Sequence, residues 1–141
     1  MIFEESYGII PLKKINGKWV TYLIQNKSGN HWGFPKGRAN ISETQKEVAL
    51  RELKEETNLS LVRFLSEETI VEQYTFKRNS TPISKKVHYY LAEVTGDAEI
   101  STDEILDGKW VDVKSAKNLL TYSQSKKIAD QVEIILQKLI I

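Results

Sequence analysis

Apolar and polar residues recur along this chain with two different periods. Alternation at every second position, in segments rich in β-branched and aromatic residues, predicts strands, and apolar residues three or four positions apart predict helices. The predicted strands are 5–13, 18–25, 31–34, 61–64, 68–77, 85–94 and 109–113, the helices are 42–57, 115–120 and 125–139, and the loops or turns include 26–30, 78–84 and 95–107. Strands mixed with a central helix and a C-terminal helix predict an α+β fold, an α/β/α sandwich around a mixed sheet.

Turn and capping residues mark several boundaries of these elements. The dipeptide Asn16-Gly17 is a strong signal for a hairpin between the first two strands. Ser42 followed by Gln45 predicts a capping box at the start of the central helix. Asn58 tolerates the left-handed conformation that ends many helices, so it predicts where this helix stops.

Length and composition restrict the class of protein. The chain has 141 residues, which suits a single domain over 1–141 with its own hydrophobic core. The formal net charge is +1, so charge alone does not favour nucleic acid or a membrane as a partner. No apolar segment is long enough to span a bilayer, and the absence of cysteine is compatible with a reducing compartment. A cytoplasmic monomer is expected.

Three acidic residues, Glu52, Glu55 and Glu56, lie close together in the predicted central helix. Their spacing places them on one helix face, where like charges repel each other. Most acidic helix faces are simply solvated, but here Arg51 lies four residues before Glu55 and can hold that carboxylate in place. A cluster of this kind becomes favourable when a hard cation lies among its oxygens, and magnesium combines a few carboxylates with substrate phosphates. The sequence therefore predicts a magnesium-dependent site for phosphate chemistry.

The same helix belongs to a longer pattern. Gly37 is followed at fixed spacing by Glu43 and then by the segment 51–59. This pattern resembles the signature of the Nudix hydrolases, a glycine, a glutamate, then Arg-Glu-apolar-x-Glu-Glu-x-Gly-apolar. The final glycine is replaced by Asn58, the next-best residue for a left-handed position. The resemblance implies one Nudix domain that hydrolyses nucleoside polyphosphates with Mg²⁺, for which Mn²⁺ can substitute.

The resemblance also implies roles for individual residues. The predicted metal ligands are Glu52, Glu55, Glu56, Glu104 and the carbonyl group of Gly37. Arg51 is expected to orient a glutamate. A magnesium site carried by one helix often needs a further carboxylate, as a ligand or as the base for the attacking water. The candidates for it are Glu104, Asp103 and Glu99 in the acidic loop, although each is also an ordinary surface acid on composition alone.

A narrower resemblance covers the segments around the signature. Residues 31–37, His-Trp-Gly-Phe-Pro-Lys-Gly, are similar to the corresponding segment of asymmetrical dinucleoside tetraphosphate hydrolases. Further similarities are Tyr74, the segment 86–90, the spacing of Glu104 from Trp110, and the segment 119–122. This implies a small dinucleoside polyphosphate or nucleotide as substrate. The implied phosphate contacts are His31, Lys36 and Lys86, and the implied adenine clamp is Tyr74 and Tyr122.

The expected reaction is in-line attack of water on phosphorus, with Glu52 or Glu104 as the base, which would convert diadenosine tetraphosphate to ATP and AMP. One alternative is removal of pyrophosphate from the 5′ end of RNA, since that group shares a Trp-x-Phe-Pro-Lys-Gly segment. A long RNA would favour a basic channel, and the near-neutral net charge argues weakly against it. A second alternative is a Nudix module that binds a nucleotide without cleaving it, although such modules typically lose their metal-binding glutamates.

Overall fold

Two long strands at the centre of one mixed sheet organise the fold. The computed structural model describes residues 1–139, so the last two residues of the predicted domain lie outside the described part. In that part the strands are β1 (Ile2–Ile15), β2 (Lys18–Asn26), β3 (Trp32–Gly33), β4 (Lys36–Gly37), β5 (Ser60–Phe64), β6 (Ile70–Arg78), β7 (Thr81–Thr95) and β8 (Ile105–Asp112). β1 and β7 run parallel, while the other paired strands run antiparallel, so the predicted mixed sheet is confirmed.

Helices cover both faces of this sheet. They are α1 (Gln45–Thr57), α2 (Ala116–Leu119), which follows a 3₁₀ turn at Val113–Ser115, and α3 (Ser123–Lys138). On one face α1 packs through Ala49 and Leu53, and on the other α3 packs through Ile128, Val132 and Leu136. Burying each large apolar side chain contributes roughly 1.5–3 kcal/mol. The predicted α/β/α sandwich is confirmed, with one hydrophobic core on each side of the sheet.

Two short turns with left-handed residues set the hairpins. Asn16 and Gly17 have φ values of 51° and 80°, which confirms the predicted hairpin between β1 and β2. The turn predicted over 78–84 is shorter in the structure, so its predicted length was wrong. Asn79 and Ser80, with φ values of 50° and 69°, reverse the chain in two residues, and β7 takes up the rest of the segment. Asparagine tolerates positive φ, which makes so short a turn accessible.

The start of α1 differs from the prediction, and its end agrees. Ser42 has a φ of 72°, which does not suit the extended backbone of an N-cap. The N-cap is Thr44, whose hydroxyl accepts a hydrogen bond from the Glu47 backbone N–H, while the Glu47 carboxylate accepts one from the Thr44 backbone N–H. The capping box predicted with Gln45 is therefore shifted by two residues. At the other end Asn58 is left-handed, as predicted, with a φ of 63°.

Strand β8 begins earlier than the sequence pattern predicts. It pairs with β2 from Ile105 onward, so the predicted loop 95–107 is shorter and the predicted strand 109–113 is longer at its start. The short strand predicted at 31–34 is present as β3, and β4 adds a second short strand beside β1. These two strands hold the segment before α1 against the sheet. Among residues 1–139, no helix is long and apolar enough to cross a membrane.

Candidate active site

The loop before α1 and the helix itself meet at one close contact. Tyr7 in β1 pairs with Gly37 in β4, which directs residue 37 towards the helix. A β-carbon at Gly37 would overlap the Glu52 carboxyl group. Only a residue without a side chain leaves room for the carboxyl group, so the glycine is a steric requirement of the site. The structure thus brings together the first and the central residues of the Nudix-like pattern.

Glu52 and Glu56 place two carboxyl groups side by side on α1. Glu56 is 6% exposed. Burial raises the pKa of the Glu56 carboxyl to about 10, with further contributions from a hydrogen bond to Glu52 and from the charge of Glu52, while Lys36 acts in the opposite direction. A buried carboxyl group beside a second acid holds its proton, because its charged form is poorly solvated and is repelled by its neighbour. The pair therefore favours a cation.

Arg51 is the centre of the hydrogen bonds behind these acids. Its guanidinium group donates two hydrogen bonds to Glu43, at 2.7 and 3.0 Å, and one to the backbone carbonyl of Arg38, at 3.0 Å. A further nitrogen donates to Glu52 at 3.0 Å and to Glu55 at 3.3 Å. Charge-assisted bidentate contacts of this kind are strong and directional. The predicted contact with Glu55 is present, but Glu43 receives the stronger interaction.

The acidic loop between β7 and β8 is tied to the end of α1. The Glu99 backbone N–H donates to the Thr57 carbonyl at 2.8 Å, and the Ser101 N–H donates to the Glu56 carbonyl at 3.4 Å. A cleft results that is lined by Glu55, Glu56, Ser101, Asp103 and Glu104. The charge of Glu104 also raises the pKa of Glu56. The structure thus brings Glu104 and Asp103 to the carboxyl pair, whereas Glu99 does not line this cleft.

The donor set of this cleft fits a hard divalent cation. Four of the five residues that line it are acids, and the buried Glu56 also contacts Glu52. In the part of the chain that the structure describes, no three acidic or histidine side chains form a complete ligand set. Glu55 is largely exposed and turns towards Arg51. Magnesium suits an incomplete set, because it retains waters and accepts substrate phosphates. The ligands predicted for it stay a prediction.

Two lysines lie on one face of the sheet, the face that packs against α3, and Lys36 is close enough to the cleft for its charge to affect Glu56. Lys36 pairs with Gly8 of β1, which pairs with Tyr89 of β7, so Lys36 shares a sheet face with Tyr89 and with Lys85, four residues earlier in β7. Lys86, the lysine predicted from the sequence, belongs to the opposite face and is exposed. Burial and the charge of Lys36 lower the pKa of Lys85 to about 8. The structure therefore places Lys85, rather than Lys86, beside Lys36.

Aromatic side chains flank the lysines at the start of α3. The rings of His31 and Tyr122 are 5.3 Å apart, and Tyr122 is 49% exposed. The Thr121 hydroxyl accepts a hydrogen bond from the Trp32 N–H at 2.8 Å, which fixes the two segments relative to each other. Burial and the charge of Lys36 lower the pKa of His31, so its ring is neutral near pH 7. A neutral imidazole and an exposed tyrosine offer a stacking surface for a planar group.

Tyr74 lies near this surface, in the row of Lys85 on the same sheet face. Burial raises its pKa to about 12, and the charges of Glu72 and Tyr122 contribute. Tyr89 and Tyr90, in contrast, are buried core residues at 1% and 6% exposure, as expected for most aromatic side chains. The structure thus brings together Tyr74, Tyr122 and His31 from three separate segments.

Sequence reasoning missed Lys85 and Glu72. Both lie on the sheet face that carries Lys36, and Glu72 is 5% exposed. The alternation of Lys85 with Val87 and Tyr89 was a usable signal, because alternate residues of a strand share a face. That signal does not say which face carries the site. For Glu72, the only signal in the sequence was that an acid occupies a position of β6 where the alternation expects an apolar residue.

Comparison with known proteins agrees with this geometry. The family model described as NUDIX domain matches residues 5–132, which is most of the chain. A bis(5′-nucleosyl)-tetraphosphatase (asymmetrical) from Caenorhabditis elegans is 27% identical over 122 residues, covering 85% of this chain and 87% of that protein. An RNA pyrophosphohydrolase from Nitratiruptor is 29% identical over 134 residues, covering 85% of this chain and 84% of that protein. A relative from Mycobacterium tuberculosis is 29% identical over 112 residues, which are 77% of this chain. The match covers only 43% of that protein's length.

The fold comparison gives the same result. The crystal structure of a C. elegans Ap4A hydrolase binary complex superposes with a TM-score of 0.74, covering 96% of this chain and 98% of that one. Sequence identity between the two is 23%, so this similarity concerns the fold alone.

Proposed function

The chain belongs to the Nudix hydrolase family, and from this premise we propose that it is a magnesium-dependent enzyme that cleaves diadenosine tetraphosphate asymmetrically into ATP and AMP. The observation that carries the proposal is the contact of the buried Glu56 carboxyl group with Glu52, near enough to Lys36 for the lysine charge to act on Glu56. A polyphosphate hydrolase needs acids that bind a divalent cation and, near them, a lysine that binds phosphate.

The proposed metal ligands are Glu52, Glu56 and Glu104, with Glu55 and the Gly37 carbonyl as further ligands. When bound there, Mg²⁺ would offset charge that builds on the phosphate oxygens. Arg51 holds Glu43 and Glu52 by hydrogen bonds, so its role is to keep the acids oriented. Asp103 lines the same cleft and adds to its negative charge.

The proposed substrate contacts lie on the sheet face that packs against α3, where Lys36 is near enough to Glu56 for their charges to interact. Lys36 and Lys85 would bind the phosphate chain as point charges, whereas Lys86 lies on the opposite face of the sheet. His31 and Tyr122 would stack on one adenine, with Tyr74 next to them. Stacking on aromatic side chains is worth roughly 1–3 kcal/mol per base in nucleic-acid binders.

The chemical step is attack by water on the outer phosphorus next to one adenosine. Glu52 or Glu104 accepts the proton of the water as its oxygen bonds to phosphorus. The bond from that phosphorus to the bridging oxygen of the remaining chain breaks, so the attacked phosphate leaves as AMP and the other three remain as ATP. The protein forms no covalent bond to the substrate in this step; it contributes by positioning the reactants and by offsetting the negative charge of the transition state.

A second candidate function is removal of pyrophosphate from the 5′ end of RNA. The similarity to the Nitratiruptor RNA pyrophosphohydrolase favours it, at an identity close to that of the C. elegans tetraphosphatase. The net charge of +1 favours the smaller substrate, because RNA binding draws most of its affinity from cationic side chains.

The deciding experiment is chromatographic identification of products. The purified chain is incubated with diadenosine tetraphosphate or with 5′-triphosphorylated RNA, with magnesium or with excess chelator. We expect ATP and AMP in equal amounts from the dinucleotide, and no products with chelator. Pyrophosphate release from RNA at a higher kcat/KM would favour the second candidate. Cleavage of neither substrate, nor of other nucleoside polyphosphates, would contradict the proposal and indicate a module that only binds nucleotide.

A further inference from the structure

Glu72 is a buried acid that the proposed reaction does not use. It lies in β6 on the same sheet face as Tyr74 and Lys85 and is 5% exposed. One carboxylate oxygen accepts a hydrogen bond from the Ser125 hydroxyl at 2.9 Å. Ser125 lies in the first turn of α3, one turn after Tyr122. Glu72 therefore lies between the lysines and the helix that carries the stacking tyrosine.

The polar and titratable groups around Glu72 come from four elements, β4, β6, β7 and α3. Burial raises the pKa of its carboxyl group, whereas Ser125, Lys36 and Lys85 act in the opposite direction. Tyr74 and the fully buried Tyr89 complete its titratable surroundings. Among residues 1–139, neither lysine reaches Glu72 closely enough to form a salt bridge. Glu72 and the two lysines thus interact through space and not through a salt bridge.

This arrangement matters for a polyanionic ligand. Two lysines on one sheet face create a positive potential that attracts the phosphate chain and also retains the products. A carboxylate behind them reduces that potential without occupying the lysine ammonium groups. Its effect is large for a buried group, because charges interact more strongly where water is excluded. The hydrogen bond to Ser125 keeps the carboxylate in this position.

We propose that Glu72 is a positioning residue that acts through Lys36 and Lys85, limits the affinity of the cleft for phosphate chains and so permits product release. The inference rests on the proposed function, since it assumes that polyphosphate binds at the two lysines. The ordinary alternative is that Glu72 only accepts the Ser125 hydrogen bond and anchors α3. The two explanations differ in one expected result: removal of the negative charge changes the affinity for phosphate chains only under the first.

The test compares three variants by kinetics and by product binding. Glu72→Gln keeps the shape and an acceptor for Ser125 but removes the charge. Ser125→Ala keeps the charge and removes the hydrogen bond. Glu68→Gln removes one charge from an exposed position just before β6 and serves as the control for net charge. Each is assayed with diadenosine tetraphosphate and magnesium for kcat, KM and inhibition by ATP, and for ATP binding in chelator by calorimetry.

For Glu72→Gln we expect tighter ATP binding and a lower KM, each by roughly three- to tenfold, with a lower kcat and a steeper salt dependence of binding. Ser125→Ala and Glu68→Gln should leave ATP affinity within about twofold of wild type. If Glu72→Gln does not fold, Glu72→Met, which removes the buried polar group as well as its charge, carries the same expectation.

Unchanged ATP affinity and KM in a folded Glu72→Gln variant would overturn the inference, as would an effect equal to that of Ser125→Ala. A wild-type chain that cleaves no polyphosphate and does not bind ATP would instead overturn the proposed function, and the inference with it.

Discussion

The carboxyl group of Glu52 occupies the space that a β-carbon on residue 37 would need, so Gly37 and Glu52 are in direct contact. The contact joins the short strand β4 to the middle of α1 and sets how closely the loop approaches the acidic pair. A glycine at this position is therefore explained by steric exclusion, since its backbone needs no positive φ.

Gly37→Ala should displace Glu52 and separate it from Glu56. We expect a loss of at least tenfold in kcat/KM and, since overpacking costs about 1–3 kcal/mol, a lower melting temperature. Gly33→Ala is the matched control, because a β-carbon there meets no atom within 4 Å. Full activity of Gly37→Ala, with the melting temperature of wild type, would show that the contact is dispensable.

Glu56→Gln should lower turnover with magnesium by roughly 10²- to 10⁴-fold, because the amide removes a charged ligand from the proposed metal site. The fold should persist, since an amide can keep a hydrogen bond to Glu52 in the buried pair. Circular dichroism and thermal melting in chelator check the fold, and Glu67→Gln, in an exposed loop, is the control. A fully active Glu56→Gln would remove Glu56 from the site.

Arg51→Met should destabilise the chain and reduce activity together. Arg51 is 25% exposed and donates to Glu43, Glu52 and the Arg38 carbonyl. Hydrogen bonds to charged groups contribute about 1.5–3 kcal/mol each without being additive, so we expect a loss of about 2–3 kcal/mol in the free energy of unfolding.

Arg63→Met provides the comparison for Arg51. Its ion pair with Glu93 has a similar length, 2.8 Å, but Arg63 is 51% exposed. Exposed pairs contribute about 0–1 kcal/mol, so denaturant unfolding should show a small change and activity should be retained. Equal effects for the two arginines would contradict the role assigned to Arg51.

The KM for a polyphosphate should depend on pH through Lys85. Burial, followed by the charge of Lys36, lowers the pKa of Lys85 from 10.5 to about 8, with Glu4 opposing and Arg38 and Arg78 reinforcing the shift. A lysine binds phosphate when protonated, so the contact is complete below pH 8 and weakens as the pH rises above it. The expected result is a KM that increases between pH 8 and pH 9.5.

Lys85→Arg tests this prediction, because arginine stays protonated throughout that range. Its KM should be flat above pH 8, whereas Lys86→Met, on the opposite sheet face, should keep the wild-type dependence. If Lys85→Arg shows the same rise as wild type, another group is responsible.

Several structural features could be predicted from residues that lie close together in the sequence. Asn16-Gly17 formed the predicted hairpin, and Asn58 ended α1 in the left-handed conformation. The Nudix-like pattern grouped Gly37 with the glutamates of α1, and the structure brings Gly37 against Glu52. These features depend on residues close in sequence, or on a pattern whose spacing already encodes the geometry.

The N-cap of α1 shows where local patterns are ambiguous. Ser42 with Gln45 and Thr44 with Glu47 both have the composition of a capping box. Ser42 has a positive φ, which an N-cap does not adopt, in a loop that Arg51 contacts at Glu43 and at the Arg38 carbonyl. The backbone conformation of the loop therefore decides between two patterns that are equivalent in sequence.

The sequence by itself determined the family, the α+β class, the acidic helix and the lysine that precedes it, because these follow from periodicity and from a spaced pattern. Only the tertiary structure decided that Lys85 rather than Lys86 shares a sheet face with Lys36, and that Glu72 lies on that same face. The reason is that the faces of a strand are assigned by its neighbours. Here the parallel pairing of β1 with β7 joins residues some eighty positions apart, and no local pattern specifies that register.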